Sequence, residues 1–274
     1  MAEDSRRARI AGAGRSPFDL DPDEAARWAA RFGVAEDQIR HDFVISHLLA
    51  AISPLANNVV FYGGTALSRT FLNDLRLSED IDLLSVGARR PVATLIDDAI
   101  RIQLTPGFGP VTADPWLADV RHDTDACVFH VGDIDVKVQL IDGTNYTPWP
   151  TQSSTVALRY QGMRDVTMTT LTAAGFVAAK TTAWSDRNAP RDLYDLWALS
   201  QRHLINSDAA AVFKSKGPTG GYPRHWSLPA HSPTEQAWHD ALDHQCVVQA
   251  TAAEAYRTVV EAWRVAVEAQ GAEF

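Results

Sequence analysis

Two carboxylates and a glycine turn carry the chemistry that this sequence suggests most directly. Asp80 and Asp82 are separated by one residue in an apolar segment, and because side chains alternate along a strand, both would project from one face of a sheet. Neighbouring carboxylates on a rigid strand suit a hard divalent cation such as Mg²⁺. Upstream, Gly63-Gly64-Thr65 predicts a turn whose backbone amides can approach a phosphate closely. Together the two features predict a site for a metal-bound triphosphate.

The segments around the glycine turn predict how it is positioned. Residues 59–62 are a short apolar run typical of a buried strand, and the glycine pair ends it. Leu67 and Phe71 are four residues apart and predict a helix directly afterwards, and residues 80–86 form the next strand. A Gly-Gly pair alone usually indicates only a turn, and an Asp-x-Asp motif alone usually indicates only a solvent-exposed strand edge or loop. Their order along the chain makes the catalytic interpretation the stronger one.

A lysine in an apolar helix is the second chemical feature. Lys180 follows the run Phe-Val-Ala-Ala in a segment that predicts a helix. Such a lysine either extends its ammonium from a core helix to solvent or binds an anion. The next predicted helix carries Arg191, Asp192 and Asp195, and Asp195 can pair with Arg191 one turn away.

The segment from Gly63 to Leu83 resembles the nucleotidyltransferase toxins of the AbiEii/AbiGii type, known in mycobacteria as MenT toxins. These belong to the DNA polymerase β-like nucleotidyltransferase superfamily, in which a turn of glycine and a small residue is followed by an aspartate pair. A helical lysine followed by an Arg-Asp-Leu-x-Asp-Leu segment is the family's second motif, and Lys180 and residues 191–196 match it. The resemblance covers roughly residues 35–200.

The resemblance implies a role for each of these residues. Asp80 and Asp82 would bind Mg²⁺, and Lys180 would hold the triphosphate as a compact point charge. Asp192 would lie in the active-site cleft, where it would position Lys180 or Arg191 or assist the metal. The residues expected to contact the nucleotide are Gly63, Gly64, Thr65, Ser78 and Lys180.

A third carboxylate commonly completes the metal shell of such a site or deprotonates the attacking hydroxyl. Asp135 is our candidate catalytic and metal-binding residue for this role, because it lies on the polar face of a predicted strand, 134–141, whose other face is apolar. A solvent-facing aspartate is the equally weighted alternative. Relatives carry an acid on the equivalent strand, and in another register Gln139 would take that position and leave only two carboxylates.

Other polar residues near these motifs have more than one interpretation. The Ser78 hydroxyl could bind a phosphate or be a modification site where an added phosphate repels the nucleotide, but capping the turn before the strand is favoured. Four arginines are candidate RNA or phosphate contacts that equally fit a role as surface residues. They are Arg69, Arg76, Arg187 and Arg191.

Composition limits the class of protein. The chain has 274 residues, 46% of them hydrophobic, and a formal net charge of −9, which argues against a general nucleic-acid binder. No apolar run approaches the roughly 18 residues that span a bilayer, and no secretory signal pattern is visible. Cys127 and Cys246 lack metal-ligand spacing and fit buried thiols. We therefore expect a cytoplasmic protein without membrane contact.

The order of predicted elements indicates an α+β fold: a nucleotidyltransferase-type mixed sheet flanked by helices, followed by an all-helical carboxyl-terminal domain. We expect a flexible lead-in at residues 1–20, a catalytic domain at 21–168 and a helical domain at 169–274 that completes the cleft. Thr155 to Gln161 is a further strand candidate, and residues 214–232 predict a loop. The predicted helices span residues 22–32, 35–52, 91–104, 171–184, 190–202, 234–246 and 250–268.

The resemblance also implies a function. It is Mg²⁺-dependent transfer of nucleotides, often pyrimidine nucleotides, from a nucleoside triphosphate to the 3′ acceptor end of tRNA, which blocks aminoacylation and translation. A cognate antitoxin would silence the enzyme. Two alternatives remain at this point: a nucleotidyltransferase that modifies a small molecule or a protein, and a regulator that binds nucleoside triphosphates without turnover.

Overall fold

The central element of the structure is a mixed β-sheet. The computed structural model describes residues 16–274, so most of the lead-in predicted at residues 1–20 lies outside the described residues. Within the described range, seven strands pair in the order β3-β4-β5-β2-β1-β7-β6. The strands are β1 (Val59–Tyr62), β2 (Asp80–Ser85), β3 (Thr112–Asp114), β4 (Cys127–Val131), β5 (Ile134–Asp142), β6 (Thr151–Val156) and β7 (Val166–Leu171).

Helices flank this sheet and form the carboxyl-terminal part of the chain, which confirms the predicted fold class. None of the helices in residues 16–274 is long and apolar enough to cross a membrane. The α-helices are α1 (Pro22–Phe32), α2 (Glu36–Ile52), α3 (Gly63–Ser68), α4 (Arg89–Phe108), α5 (Ala173–Arg187), α6 (Pro190–Gln201), α7 (Ser207–Lys216), α8 (Glu235–Leu242) and α9 (Ala252–Glu268).

The middle of the sheet determines what surrounds the aspartate pair. β2 lies between β1, to which it is antiparallel, and β5, to which it is parallel. The predicted alternation of β5 is confirmed: Val136, Val138 and Leu140 are fully buried, whereas Asp135 and Lys137 are exposed. Helices α2 and α4 pack against β5. Since the apolar side chains occupy one face, the polar side chains of β2 and β5 share the other.

The strand predicted at 155–161 is wrong in position. β6 ends at Val156, and β7 follows at Val166–Leu171 and pairs in parallel with β1. β7 therefore extends past residue 168, so a division between an α/β part and a helical part would follow Leu171. The threonines of β7 suit a strand because they are β-branched, but the alternation of apolar residues in this segment is weak. The partner β1 is distant in sequence, so only the fold reveals the pairing.

Two helices also differ from the prediction. α4 continues through Pro106, where the sequence suggested an end. Pro106 lies in the last turn, and the carbonyl that loses its partner belongs to the exposed Ile102, where water can replace the bond. α7 begins at the N-cap residue Asn206, whose side chain accepts hydrogen bonds from two backbone amides. It occupies part of what the sequence suggested was a loop.

A buried ion cluster ties α2 to the helix that follows the glycine turn. Arg69 donates to the Asp42 carboxylate at 2.7 Å, and Arg159 donates to the same oxygen at 2.8 Å. The Tyr160 hydroxyl donates to the other oxygen at 2.9 Å. Burial opposes ionisation of Asp42, but the charges of Arg159 and Arg69 keep its pKa below the ordinary value. Arg69, which the sequence predicted as a candidate phosphate contact, is placed by the structure in this cluster with a fully buried side chain.

Removing the shared carboxylate of this cluster should be strongly destabilising. We expect Asp42→Ala to lower the free energy of unfolding by about 3–5 kcal/mol, because it leaves two buried guanidinium groups without their counter-charge. Urea denaturation followed by circular dichroism measures the effect. The control is Asp133→Ala, which removes an exposed ion pair with Arg40 and should leave the urea midpoint nearly unchanged. Equal effects of the two substitutions would contradict this role of Asp42.

Candidate active site

The aspartate pair lies on the open face of the sheet, as the strand pattern predicted. Asp80 and Asp82 are partly exposed, whereas Ile81 and Leu83 between and after them are fully buried. The alternation holds because the buried side chains pack in the hydrophobic core. The two carboxylates therefore project from the same face of β2 into the same region.

The glycine turn packs directly against this pair. Tyr62, the last residue of β1, is registered with Asp82, and Gly63 follows with a φ of +76°. A Cβ atom on Gly63 would lie 2.1 Å from Oδ2 of Asp82, so only glycine permits this approach. Thr65 is buried, and its hydroxyl donates a short hydrogen bond to the Asp80 carbonyl. The turn and the start of β2 are thus held as one unit.

The environment of Asp82 disfavours its charged form. Burial, together with the neighbouring charge of Asp80, raises the pKa of Asp82 to about 6, against smaller opposite effects from Lys180 and Lys137. The lowering of the pKa by these two cations does not cancel the increase caused by burial and Asp80. The carboxylates therefore form a locally anionic site that a bound cation would stabilise.

Lys180 does not project as an isolated cation. Its Nζ lies 3.0 Å from Oδ1 of Asp192 and 2.8 Å from Oδ2 of Asp195, and only 9% of its side chain is exposed. The sequence pattern predicted the conspicuous lysine but not its partners. Asp192 and Asp195 are on α6, one turn apart, and both face α5.

These groups belong to a longer series of alternating charges, which we call the ion-pair chain: Arg76–Asp195–Lys180–Asp192–Arg187. Arg76 donates to both oxygens of Asp195 at 2.8 Å, and Arg187 donates to both oxygens of Asp192 at 2.7 and 2.9 Å. Burial alone would raise the pKa of Asp192, but Lys180 and Arg187 hold it at about 2. Both carboxylates are therefore ionised at neutral pH.

The two ends of the ion-pair chain differ in exposure. Arg76, also predicted as a candidate phosphate contact, is buried, and it donates to Gln245 at 2.8 Å as well as to Asp195. Arg187 has 60% of its side chain exposed and lies at the cavity rim. Its prediction as a phosphate contact therefore agrees with its position. Arg191 is exposed but does not line this cavity.

The strand register brings Gln139, not Asp135, beside the aspartate pair. Asp80 is registered with Lys137 and Asp82 with Gln139, which also lines the cavity. Asp135 lies two residues before Lys137, is 67% exposed and shares a 2.6 Å hydrogen bond with His130. β5 extends beyond the start of β2 at this point, so the structure places Asp135, the predicted third metal ligand, past the end of the aspartate pair.

Several of the residues that could take part in the reaction line one small cavity of about 230 Å³. Ser78 is half-buried next to Gly64, and neither Ser78 nor Thr65 lines the cavity. Sequence reasoning missed Tyr62 and Tyr146, because isolated tyrosines give no pattern. The lining residues are Tyr62, Gly63, Gly64, Asp82, Gln139, Tyr146, Leu171, Phe176, Ala179, Lys180, Ala183, Arg187 and Asp192. A larger cavity of about 730 Å³ shares no residue with it, so the chemistry of the groups, not volume, identifies the site.

Comparison with known proteins shows a matching family and a similar fold. A family model described as "Nucleotidyl transferase AbiEii toxin, Type IV TA system" matches residues 47–244, which include the glycine turn, the aspartate pair and the ion-pair chain. Among solved structures, MenT4, a nucleotidyltransferase toxin from Mycobacterium tuberculosis H37Rv, has a similar fold, with a TM-score of 0.65, 20% identity and 89% of each chain covered. No curated protein matches the sequence.

The contact between Gly63 and Asp82 makes a testable prediction. Gly63→Ala should reduce the free energy of unfolding by more than the about 1–2 kcal/mol expected for a left-handed backbone alone, because the new methyl group displaces the Asp82 carboxylate. Gly132→Ala is the matched control, with a φ of +63° and no atom within 4 Å of the added Cβ. Urea unfolding compares them. If both substitutions lower the free energy of unfolding by the same amount, the steric contact with Asp82 does not contribute to stability.

Proposed function

The chain belongs to the AbiEii family of nucleotidyltransferase toxins of type IV toxin–antitoxin systems, and on that basis we propose that it transfers nucleotides, preferentially pyrimidine nucleotides, to the 3′ acceptor end of tRNA. The observation that supports this most is the placement of Asp82, the glycine turn and Arg187 around one cavity. Carboxylates can hold a metal ion, and a guanidinium can bind phosphate oxygens. A metal-bound triphosphate needs both.

The reaction places few covalent demands on the protein. The terminal hydroxyl of the acceptor attacks the α-phosphorus of the nucleoside triphosphate, a new P–O bond forms, and the bond to the leaving pyrophosphate breaks. The proton of the hydroxyl is lost in the same step. Catalysis of phosphoryl and nucleotidyl transfer is mainly positioning and charge stabilisation. The candidate site supplies these through groups that are already held in place.

Asp80 and Asp82 are the residues that would hold Mg²⁺. They fit this role because their mutual repulsion and the raised pKa of Asp82 would be offset by a cation. No group of three or more His, Cys, Asp or Glu side chains in residues 16–274 is arranged to hold a metal, but Mg²⁺ commonly uses one or two carboxylates and completes its shell with water and substrate phosphates. When bound, the ion neutralises charge on the phosphates. The Gln139 side-chain oxygen is a neutral substitute for a third ligand.

The ion-pair chain gives the basic residues different roles. Arg187 is the cation we assign to the phosphates, because its guanidinium is exposed at the rim and oriented by two hydrogen bonds to Asp192. Asp192 is thus a positioning residue, held in turn by Lys180. Lys180 lines the cavity. Its ammonium group would contact a phosphate by giving up its ion pair with one of the two aspartates.

We infer the acceptor and the protein partner from the resemblance to this family of toxins. A tRNA extended at its 3′ end cannot be aminoacylated, so translation would stop, and an antitoxin encoded with the toxin would counteract it. The net charge of −9 means that RNA contacts must be local. Arg187 and Arg191, both exposed near the start of α6, are the local basic residues that we assign to this contact.

Substitution of the aspartates tests the proposed activity. With purified protein, total RNA and each labelled nucleoside triphosphate, we expect label in the tRNA band, and Asp82→Asn or Asp80→Asn should reduce it by roughly two to three orders of magnitude. Induced expression of the wild type should arrest growth, and the Asp82→Asn variant should not. Circular dichroism and the Asp133→Asn variant control for folding. Label only in protein or in a small product would exclude tRNA as acceptor.

Substitutions of Asp135 and Gln139 provide a second test of the proposed site in the same transfer assay. Asp135→Asn should retain transfer within about threefold, because this carboxylate pairs with His130 away from the cavity. Gln139→Ala should reduce transfer, since Gln139 is registered with Asp82. A loss for Asp135→Asn as large as that for Asp82→Asn would restore Asp135 as a metal ligand.

A further inference from the structure

A second cavity of about 430 Å³ adjoins the candidate active site. The two cavities share Tyr146 on the loop after β5 and Ala179 and Ala183 on α5. Ala179 and Ala183 are one helical turn apart, so their small side chains form the shared wall. The second cavity therefore begins where the first one ends.

The size of the first cavity indicates that a nucleotide must extend beyond it. Sites that enclose small molecules usually have volumes of about 300–1,000 Å³. At about 230 Å³ the first cavity is smaller than this, although it contains Asp82, Lys180 and Arg187. It has room for the phosphates next to these charges, but not for a whole nucleoside triphosphate.

The chemistry of the second cavity suits the uncharged half of the same molecule. None of its described lining residues is a lysine or arginine. Thr182 and Ser185 offer hydroxyl groups, and Asp186 offers a carboxylate that can accept hydrogen bonds from ribose hydroxyls. The carboxylate would repel the phosphates of an RNA strand. The lining therefore favours a nucleoside over a polynucleotide backbone.

The aromatic ring between the cavities is held in a defined position. Tyr146 is partly exposed, and its ring centroid lies 5.0 Å from that of Tyr62. Trp149 also lines the second cavity and is buried. An ordered ring at this boundary is a suitable stacking surface for a base.

We propose that the second cavity binds the nucleoside of the incoming nucleoside triphosphate, with its base against Tyr146 and its ribose toward Thr182 and Asp186. This proposal rests on the proposed nucleotidyltransferase function. It gives the substrate an orientation, with phosphates at Asp82 and Arg187 and the base beyond Ala183. It also makes Tyr146 a residue that contributes to nucleotide affinity through stacking.

Equilibrium binding tests the orientation without RNA. The probes are the four nucleoside triphosphates and inorganic tripolyphosphate, each with Mg²⁺, measured by isothermal titration calorimetry. Tyr146→Ala should weaken binding of the preferred nucleotide by about 5- to 100-fold, as loss of one base–aromatic stack implies, and change tripolyphosphate binding by less than about twofold. Tyr146→Phe keeps the ring and should bind within about threefold of the wild type. Thermal unfolding confirms that each variant is folded.

A steric variant provides an independent test. Ala183→Leu should narrow the connection between the cavities, because Ala183 lies in the shared wall, and should therefore weaken nucleotide binding by more than tripolyphosphate binding. Leucine is a good helix former, so α5 should remain intact. The proposal is overturned if Tyr146→Ala and Ala183→Leu bind all four nucleotides like the wild type, or if both weaken tripolyphosphate equally.

Kinetics separate this proposal from the function on which it rests. In the transfer assay, Tyr146→Ala should raise the KM for the nucleotide and leave the KM for tRNA unchanged. An increase only in the KM for tRNA would assign the second cavity to the acceptor instead. If the wild type binds a nucleotide and the variants behave as expected but nothing is transferred to RNA, the orientation holds and the proposed function fails. A wild type that binds no nucleotide overturns both.

Discussion

The rest of the site depends on the alternation of charge from Arg76 in the core to Arg187 at the rim. A buried charge is strongly unfavourable unless it is paired, and Asp195, Lys180 and Asp192 each contact opposite charges on both sides. Three cations and two carboxylates leave one positive charge in excess. Exposure places that excess at Arg187, beside the cavity that contains Asp82. The ionic balance of the interior thus determines which cation is exposed beside this cavity.

The same interactions that stabilise the fold assemble the site. A helix of six residues such as α3 is too short to be stable alone, so its position comes from its contacts. Thr65 bonds to the start of β2, and Arg69 joins Asp42 on α2. Gly63 lets this helix begin against Asp82. The candidate site is therefore built on a strand and two buried ion clusters, and charge stabilisation without reorganisation requires groups that are held in place in this way.

Much of the local structure could be predicted from the sequence, because its signals are local. The strand, glycine turn and following strand, the alternation of β5 and most helices were identified from apolar spacing and capping residues. Arg69 and Arg76 were misjudged, since an arginine that pairs with a carboxylate more than twenty residues away looks like a surface residue in the sequence. The threonine-rich β7 was missed for a similar reason, because its pairing with β1 is non-local.

The sequence by itself determined the chemical groups: an aspartate pair on one strand face, a glycine turn before it and a lysine on a later helix. Period-two and period-3.6 patterns are enough to place side chains on faces. Only the tertiary structure decided which groups meet. The parallel register of β2 and β5 selected Gln139 over Asp135, and the packing of α5 on α6 converted Lys180 from an isolated cation into a link between two carboxylates. Register and burial depend on contacts between distant segments, and these contacts bring Asp82, the glycine turn and the cations Lys180 and Arg187 to one cavity.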